Sequence, residues 1–318
     1  MGEISIIYGM IFKMKNLFIT GISGCVGHYL FDVLAQNQDY QLFLLVRDVS
    51  KLKFNYQAYP NVKIVKGDMR DIDQQSGLLK EMDYVIHAAA HWGGTEINYD
   101  YTIALFNLLD EKRCKKVIYL STASLLGPHN QVLAEADELG TGYIRGKYLT
   151  YKKLPELKIY NKITTLFPTW VLGGDKTHPY SHGTLGLLGV PRWLWLLRFF
   201  TVDISFHFIH AQDIARIIAY LLENEVKERE SVLGNPVITA SAFIREICNY
   251  YKKRVYFQIN LSAAFIKTAA KIFGKELHPW DVYSIDRRHF QYRVVNAASF
   301  GLQTDYQTLS GILESLKK

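Results

Sequence analysis

The sequence predicts an α/β fold: a doubly wound parallel sheet with a small, mainly helical C-terminal lobe. Two observations predict it. A glycine-rich turn joins the first apolar strand to a helix, and five further short apolar strands follow, with helical patterns between several of them. Strands that are apolar throughout are typical of a parallel sheet whose two faces are both covered by helices. With 318 residues and 49% hydrophobic side chains, the chain can bury a large core.

The first element is an apolar strand that stops at Gly21. Glycines recur at Gly24 and Gly27, and an amphipathic run over residues 28–35 follows at once. Glycines let the backbone approach a phosphate closely, and a helix N-terminus offers free N–H groups and the positive end of its dipole. The spacing is G-x-x-G-x-x-G rather than the G-x-G-x-x-G of the standard dinucleotide fingerprint, so the turn alone is a moderate signal.

The remaining strands are predicted in order along the first half of the chain, with a helical pattern at 101–110 between the fourth and the fifth. Their ranges are 41–46, 62–65, 84–87, 116–120 and 163–167. Ligands of doubly wound sheets bind at the carboxyl ends of the strands. Small and polar residues collect at those ends here, namely Gly21, Arg47, Asp68, Ala88 and Thr122. The pattern therefore predicts a Rossmann-like sheet with its site along this edge.

Charge and cysteine content exclude several classes of function. The net charge of +7 comes from dispersed lysines and arginines rather than from a basic stripe, so we predict no nucleic-acid partner. The three cysteines, Cys25, Cys114 and Cys248, match no metal-ligand spacing and no disulfide framework. We therefore expect no metal site and a reducing, cytoplasmic location.

Two further apolar segments need an interpretation. Residues 1–13 carry an early acidic residue and no cleavage site, so we interpret them as an N-terminal extension before Met14 and not as a signal peptide. The stretch 185–200 contains a proline and two arginines and is too short to span a bilayer. We interpret it as a buried helix; the alternatives are an apolar wall of a substrate pocket or, less favoured, a shallow contact with a membrane surface.

Candidate acid–base residues lie at Tyr143 and Lys147, whose spacing puts them on one face of a helix. A phenol with a pKa of about 10 is a poor acid–base group at neutral pH, and a neighbouring ammonium favours the phenolate. The pair can then exchange a proton with a substrate oxygen. The motif is weak by itself, because Tyr148 and Lys152 repeat it.

Two other candidates are polar residues that follow strands. Thr122, in the run 121–124, would face the crevice and hydrogen-bond the reacting oxygen, although such residues are often simple strand-end turns. Asn98 opens the helix after the fourth strand and is also explained as a helix N-cap.

Together and in this order, these residues resemble the extended short-chain dehydrogenase/reductase family. The resemblance runs from Met14 to about Ala215 and is nearest to NAD-dependent epimerase/dehydratase-like proteins, and among these to the dihydroflavonol-reductase-like and 3-beta-hydroxysteroid-dehydrogenase-like branches. It implies a catalytic set of Thr122, Tyr143, Lys147 and Asn98. It also implies a cofactor site formed by Gly21, Gly24, Cys25, Val26, Gly27, Asp68, Met69, Ala88, Ala89, Ala90, Tyr143, Lys147 and Pro168.

The resemblance also implies a mechanism. Lys147 would hold the nicotinamide ribose and lower the pKa of Tyr143, Tyr143 would exchange the proton of a carbonyl or alcohol, and Thr122 would hydrogen-bond the same oxygen. Lys147 is favoured over Lys152 because the later pair would leave too short a helix before the sixth strand. The family resemblance is also compatible with a homodimer.

The end of the second strand bears on the choice of cofactor. Val46 stands where an NAD-selecting enzyme usually has an acid, and Arg47, helped by Lys51, could bind a 2′-phosphate. We therefore predict NADP as the preferred cofactor over NAD. The alternative is that Arg47 is an ordinary surface residue and Asp48 reaches back to the ribose.

We divide the chain into a dinucleotide-binding part and a substrate-binding part, and the composition of the second indicates the class of substrate. We assign residues 14–174, with 204–237 returning to them, to the dinucleotide-binding domain, and 175–203 with 238–318 mainly to a substrate lobe. That lobe is rich in aromatic residues, which favours hydride transfer between NADP(H) and a hydrophobic ketone or alcohol. The first alternative is a nucleotide-sugar epimerase or dehydratase with tightly bound NAD. The second is a non-catalytic dinucleotide-binding regulator, against which the intact Thr122, Tyr143 and Lys147 argue.

Overall fold

The computed structural model describes residues 14–272 and 274–317. The predicted N-terminal extension, residues 1–13, lies outside the described residues.

Eight of the described strands form one parallel sheet, and six others form three small two-stranded pairs. The strands are β1 Lys15–Thr20, β2 Tyr40–Val46, β3 Val62–Lys66, β4 Tyr84–His87, β5 Lys116–Leu120, β6 Ile163–Pro168, β7 Trp170–Leu172, β8 Phe200–Val202, β9 Ser205–Phe206, β10 Phe208–His210, β11 Glu230–Leu233, β12 Ile238–Thr239, β13 Ile259–Leu261 and β14 Val294–Val295.

The large sheet has the order β14-β11-β6-β5-β4-β1-β2-β3, and each neighbouring pair in it is parallel. The order reverses between β1 and β4, which is the type of switch point where doubly wound folds bind ligands. The doubly wound fold and its first six strands are therefore confirmed. The last two sheet strands, β11 and β14, were not predicted.

The described α-helices are α1 Cys25–Leu34, α2 Ser76–Leu79, α3 Asp100–Asn107, α4 Glu135–Glu138, α5 Gly142–Lys153, α6 His182–Leu188, α7 Val190–Leu197, α8 Ala211–Glu223, α9 Ala240–Tyr250, α10 Ala263–Ile272, α11 Pro279–Arg287 and α12 Leu309–Ser315. None of the helices in the described part of the chain is long and apolar enough to cross a membrane.

The two faces of the sheet carry separate clusters of buried side chains. On one face, α1 and α8 pack together against strand residues, with Leu30 and Phe31 in the same cluster as Ile214 and Ile218. On the other face, Leu105 and other residues of α3 cover β1, β4 and β5. Burial on both faces explains why the sheet strands read as continuous apolar runs.

The predicted buried helix over 185–200 is wrong. The segment forms two short helices, α6 and α7, and in α7 only Leu194 is buried while Trp193 and Trp195 are more than half exposed. Gly189 lies at the junction and Pro191 occupies the first turn of α7, where its missing N–H costs no helix hydrogen bond.

Candidate active site

A cleft of about 1120 Å³ runs along the carboxyl ends of the sheet strands and into the C-terminal part of the chain. The predicted site residues that line it are Gly21, Gly24, Cys25, Val26, Gly27, Arg47, Lys51, Asp68, Met69, Ala88, Ala89, Ala90, Thr122, Tyr143, Lys147 and Pro168. Of the predicted set, Asn98 alone is outside the cleft lining. The strand ends bring these residues together because parallel strands place all their carboxyl ends at one edge.

The glycine turn has the shape that a dinucleotide pyrophosphate needs. Gly21 has a φ of 76°, and a Cβ there would lie 2.5 Å from the carbonyl carbon of Ala88. A Cβ on Gly27 would lie 2.3 Å from the Gly21 oxygen. Helix α1 begins after Gly24 with no side-chain cap and no acidic residue in its first turn, so its free N–H groups suit an anion.

The second and third strand ends carry an ion pair at the rim of the cleft. Arg47 Nη1 donates to Asp68 Oδ2 at 3.0 Å, and Asp68 also accepts from the Arg70 backbone N–H. Burial acts to raise the pKa of Asp68, but these hydrogen bonds and charges outweigh it and lower the pKa. The Arg47 side chain remains 62% exposed. Asp48 accepts from the N–H and the hydroxyl of Ser50, caps the turn over 49–51 and also lines the cleft.

The Lys147 side chain is buried and hydrogen-bonds a backbone carbonyl at the end of β5. Its Nζ donates to the Leu120 carbonyl at 2.8 Å and lies 4.7 Å from the centre of the Tyr119 ring. Burial lowers the pKa of Lys147 to about 7. The ring of His87 stacks against that of Tyr119. Its two ring nitrogens make hydrogen bonds with the hydroxyls of Thr20 and Thr102. Burial, and to a lesser degree Lys147, lowers the pKa of His87, which is therefore neutral at pH 7.

Tyr143 lies one helical turn before Lys147 on α5 and is 9% exposed. Burial raises its pKa to about 12, and a hydrogen bond with the Thr122 side chain opposes that rise. No contribution from Lys147 to the pKa of Tyr143 is resolved among the described groups. The protein by itself thus keeps this phenol protonated, contrary to the lowered pKa that we expected.

Asn98 is not the helix N-cap that its place in the sequence suggested. Helix α3 begins at Asp100, so Asn98 is not its N-cap, and its side chain is fully buried. The amide of Asn98 accepts from the His91 N–H at 3.1 Å and donates to the carbonyls of His91 and Gly94. Its own carbonyl accepts from Thr150 on α5. Asn98 therefore fastens the loop after β4 to the helix that carries Tyr143, and we assign it a positioning role.

Two residues of this region were missed by sequence reasoning. Trp92, in the loop after β4, stacks on the Tyr143 ring with centroids 4.4 Å apart and reaches His182 of α6 at 4.9 Å. Arg287, at the end of α11, lies over the rings of Phe290 and Tyr292, two residues that line the cleft. Both terminal nitrogens of Arg287 are buried, and neither makes a hydrogen bond of normal geometry to a described residue.

The position of Arg287 follows from the periodicity of α11. Trp280 and Ser284 line the cleft, and Arg287 follows them by seven and three residues, which puts it on the same face of the helix. The charge of Arg287 opposes the rise that burial causes in the pKa of Tyr292. A hydrogen bond from Arg287 also opposes that rise, so the guanidinium contacts a residue that lines the cleft.

The parallel sheet, the glycine turn and the cleft lined by Tyr143 and Lys147 have the architecture of a dinucleotide-binding fold. Residues 17–173 match the model of the NAD dependent epimerase/dehydratase family. This match confirms the resemblance to extended short-chain dehydrogenases over that part of the chain.

Individual relatives differ in what they are named for. One is a UDP-N-acetylglucosamine 4,6-dehydratase (inverting) from Campylobacter jejuni subsp. jejuni serotype O:2, 32% identical over 133 residues, or 37% of this chain. The match covers 40% of that relative, so the chain spans less than half of its length.

Two solved structures share the fold over most of their length. A UDP-N-acetylglucosamine 4-epimerase from Methanobrevibacter ruminantium M1 aligns with a TM-score of 0.64 and 19% identity, over 95% of this chain and 97% of the other. The terminal R domain from the myxalamid PKS-NRPS biosynthetic pathway aligns with a TM-score of 0.67 and 18% identity, over 95% and 89%. At these identities the likeness concerns the fold alone.

Proposed function

We propose that this protein is an NAD-dependent epimerase or dehydratase acting on a nucleotide sugar, the class that was the alternative to a hydrophobic ketone in the sequence analysis. The observation that carries the proposal is the guanidinium of Arg287 beside the cleft, whose two terminal nitrogens are buried over the rings of Phe290 and Tyr292. Burying a cation without an acceptor is costly, and a diphosphate is an acceptor whose oxygens match a guanidinium fork. A hydrophobic ketone offers no anionic group to this cation.

The residues around the glycine turn support a bound dinucleotide. Gly21 and Gly27 let the backbone of the turn pack more closely than a Cβ would allow, and the first turn of α1 offers its N–H groups. A nicotinamide dinucleotide held there supplies a hydride acceptor and donor. We assign its adenosine end to Asp68 and Met69 and its nicotinamide end to Lys147 and Pro168, all of which line the cleft.

We assign the acid–base role to Tyr143, whose buried phenol hydrogen-bonds the Thr122 side chain in the cleft. Tyr143 exchanges the proton of the substrate hydroxyl as the carbon beneath it is oxidised or reduced. Thr122 hydrogen-bonds the same oxygen. Burial lowers the pKa of Lys147 to about 7, so this amine exchanges its own proton near neutral pH.

We also propose which parts of the chain bind the dinucleotide and which bind the substrate. Residues 14–174 and 204–237 bind the dinucleotide, and 175–203 with 238–318 form most of the wall around the substrate. One departure is already visible, since β14 at Val294–Val295 belongs to the central sheet although it lies in the second of these groups.

A second candidate function is the NADP-dependent reduction of a hydrophobic ketone. It is favoured by the aromatic side chains around the substrate end of the cleft, namely Trp92, Trp170, Phe206, Trp280, Phe290 and Tyr292. It is also favoured by Arg47, whose exposed guanidinium could bind a 2′-phosphate.

The two candidates are separated by a turnover assay with UDP-N-acetylglucosamine and NAD, in which a 4-keto or epimerised sugar is detected by NMR. We expect turnover in the wild type and none in Tyr143→Phe, while Tyr148→Phe remains active. Arg287→Gln should raise KM with a smaller effect on kcat. Arg288→Gln, a neighbouring exposed arginine whose nearest acid is Asp203 at 3.6 Å, is the matched control.

Absence of sugar turnover, together with NADPH-dependent reduction of hydrophobic ketones, would favour the second candidate. Equal KM values for Arg287→Gln and Arg288→Gln would contradict the assigned role of Arg287.

A further inference from the structure

A surface of the C-terminal part of the chain exposes large apolar side chains beside cations. We call it the apolar–basic face and define it by Trp193, Trp195, Phe257 and Ile259 together with the cations Arg192, Arg198, Lys253 and Arg254. Trp193, Trp195, Phe257 and Ile259 are each more than half exposed. Single exposed apolar residues are ordinary, but several on adjacent elements mark an interaction surface.

The members of this face come from two segments that the fold holds side by side. Strand β8, which follows α7, pairs with β13 so that Phe200 is opposite Ile259. The rings of Phe199 and Phe257 lie 5.2 Å apart. Arg198 Nη1 donates to the Arg254 carbonyl at 3.2 Å. The face is therefore continuous across α7 and the chain over 254–259.

Among charged side chains, the two segments that form the apolar–basic face carry only positive ones. The sequence contains no acidic residue over 176–202 and none over 247–275. The cations in these two ranges are Lys176, Arg192, Arg198, Lys252, Lys253, Arg254, Lys267, Lys271 and Lys275. Nearby acids on packed elements are already engaged, since Asp286 pairs with Lys267 and Asp203 lies near Arg288 and His289.

We propose that the apolar–basic face docks on an anionic membrane surface. Tryptophans favour the headgroup level of a bilayer, where an apolar ring and a polar N–H are both accommodated, and lysines and arginines are attracted by anionic lipid. A second copy of the chain is a poorer partner, because two such faces would bring like charges together. This inference does not depend on the proposed function.

Docking has a direct relation to the cleft. Helix α6, which precedes α7, lines the cleft with His182, Gly183 and Gly186. Leu185 and Leu188 of the same helix are exposed. The wall of the cleft next to α7 would thus rest near the lipid surface.

The test is co-sedimentation of the full chain with vesicles of phosphatidylcholine, with and without phosphatidylglycerol, at low and high salt. We expect binding to the anionic vesicles alone, weakened by salt. Trp193→Gln/Trp195→Gln should lower the partition coefficient by about tenfold or more, whereas Trp193→Phe/Trp195→Phe should retain most of it. Both tryptophan side chains are exposed, so circular dichroism is expected to show an unchanged fold.

Charge is tested by a matched pair of double variants. Lys253→Gln/Arg254→Gln lies in the face, and Lys112→Gln/Lys115→Gln removes the same charge from exposed sites elsewhere. The first should weaken binding by about fivefold per charge and the second far less. The proposal is overturned if the wild type ignores anionic vesicles, if neutral vesicles bind equally, or if the two double variants behave alike. A dimer that the tryptophan substitutions dissociate would also overturn it, in favour of a second copy.

Discussion

Replacing Lys147 by methionine should stabilise the protein even though it removes a residue that we propose for catalysis. The Lys147 side chain is fully buried, and burial lowers its pKa from 10.5 to about 7. In the unfolded chain the amine stays charged at neutral pH. Folding must therefore either desolvate the cation or release its proton, and both cost free energy.

The size of that cost follows from the two pKa values. Each pH unit between them is worth about 1.4 kcal/mol, so a fall from 10.5 to about 7 implies a cost of about 5 kcal/mol. Methionine loses the hydrogen bond to the Leu120 carbonyl, which offsets about 1–2 kcal/mol. We expect a net gain of about 3 kcal/mol in the free energy of unfolding for Lys147→Met below pH 7.

The pH dependence gives this prediction its sign. The pKa is lowered in the folded state, so the cost in the wild type is fully present below about pH 7 and disappears above pH 10.5. The advantage of Lys147→Met should therefore shrink steadily as the pH rises from 7 to 10. Other titrating groups are common to both proteins and cancel in the difference.

The measurement is urea unfolding of both proteins without cofactor, followed by circular dichroism at several values of pH in this range. Lys152→Met is the control, because Lys152 is exposed on the same helix and should change stability by less than about 0.5 kcal/mol at every pH. A difference between wild type and Lys147→Met that does not vary with pH would refute the reasoning. So would a variant that is less stable throughout.

Three further substitutions test other parts of the molecule. Arg47→Ala should weaken NADP binding far more than NAD binding in a calorimetric titration, and equal losses would refute the assignment of Arg47 to a 2′-phosphate. Gly27→Ala should abolish dinucleotide binding and lower the unfolding midpoint, because its Cβ would lie 2.3 Å from the Gly21 oxygen. Gly77→Ala is the control and should be tolerated, because no atom lies within 4 Å of its Cβ. Equal behaviour of the two variants would contradict this reasoning. Burial lowers the pKa of His178, but its hydrogen bonds to Asp32 and Asp175 outweigh burial and raise that pKa, so its stabilising effect is full below pH 6.5 and fades as the pH rises. Thermal unfolding should show a larger penalty for His178→Gln at pH 6 than at pH 9, and the reverse order would exclude this bridge.

The sheet could be predicted from the sequence where burial on two faces produces continuous apolar runs, as in β1 to β6. It could not be predicted where pairing is decided by distant parts of the chain. β11 begins with Glu230 and Ser231, and β14 has two residues, so neither shows a period or an apolar run long enough to detect. β11 pairs with the free edge of β6, and β14 then pairs with the outer edge of β11.

The candidate site shows the same division. Gly21, Thr122, Tyr143 and Lys147 follow strands or share a helical face, so local spacing was enough to group them, and the cleft contains all four. Their catalytic roles stay predictions. Trp92 and Arg287 were missed because only the folded chain brings their loop and helix to the cleft. The apolar run 185–200 was misinterpreted because the hydrophobicity of a short segment does not reveal whether a neighbour covers it.

The sheet order also constrains how the chain is made. Strand β6 ends at Pro168, but its outer neighbour β11 begins at Glu230 and the next, β14, at Val294. During synthesis, the outer edge of β6 therefore has no strand to pair with until some sixty further residues have emerged. All six residues of β6 are buried in the finished fold. A fragment that stops at residue 174 would keep that edge permanently. We expect such a fragment to aggregate or to be retained by chaperones, although it contains the whole glycine turn and both Tyr143 and Lys147.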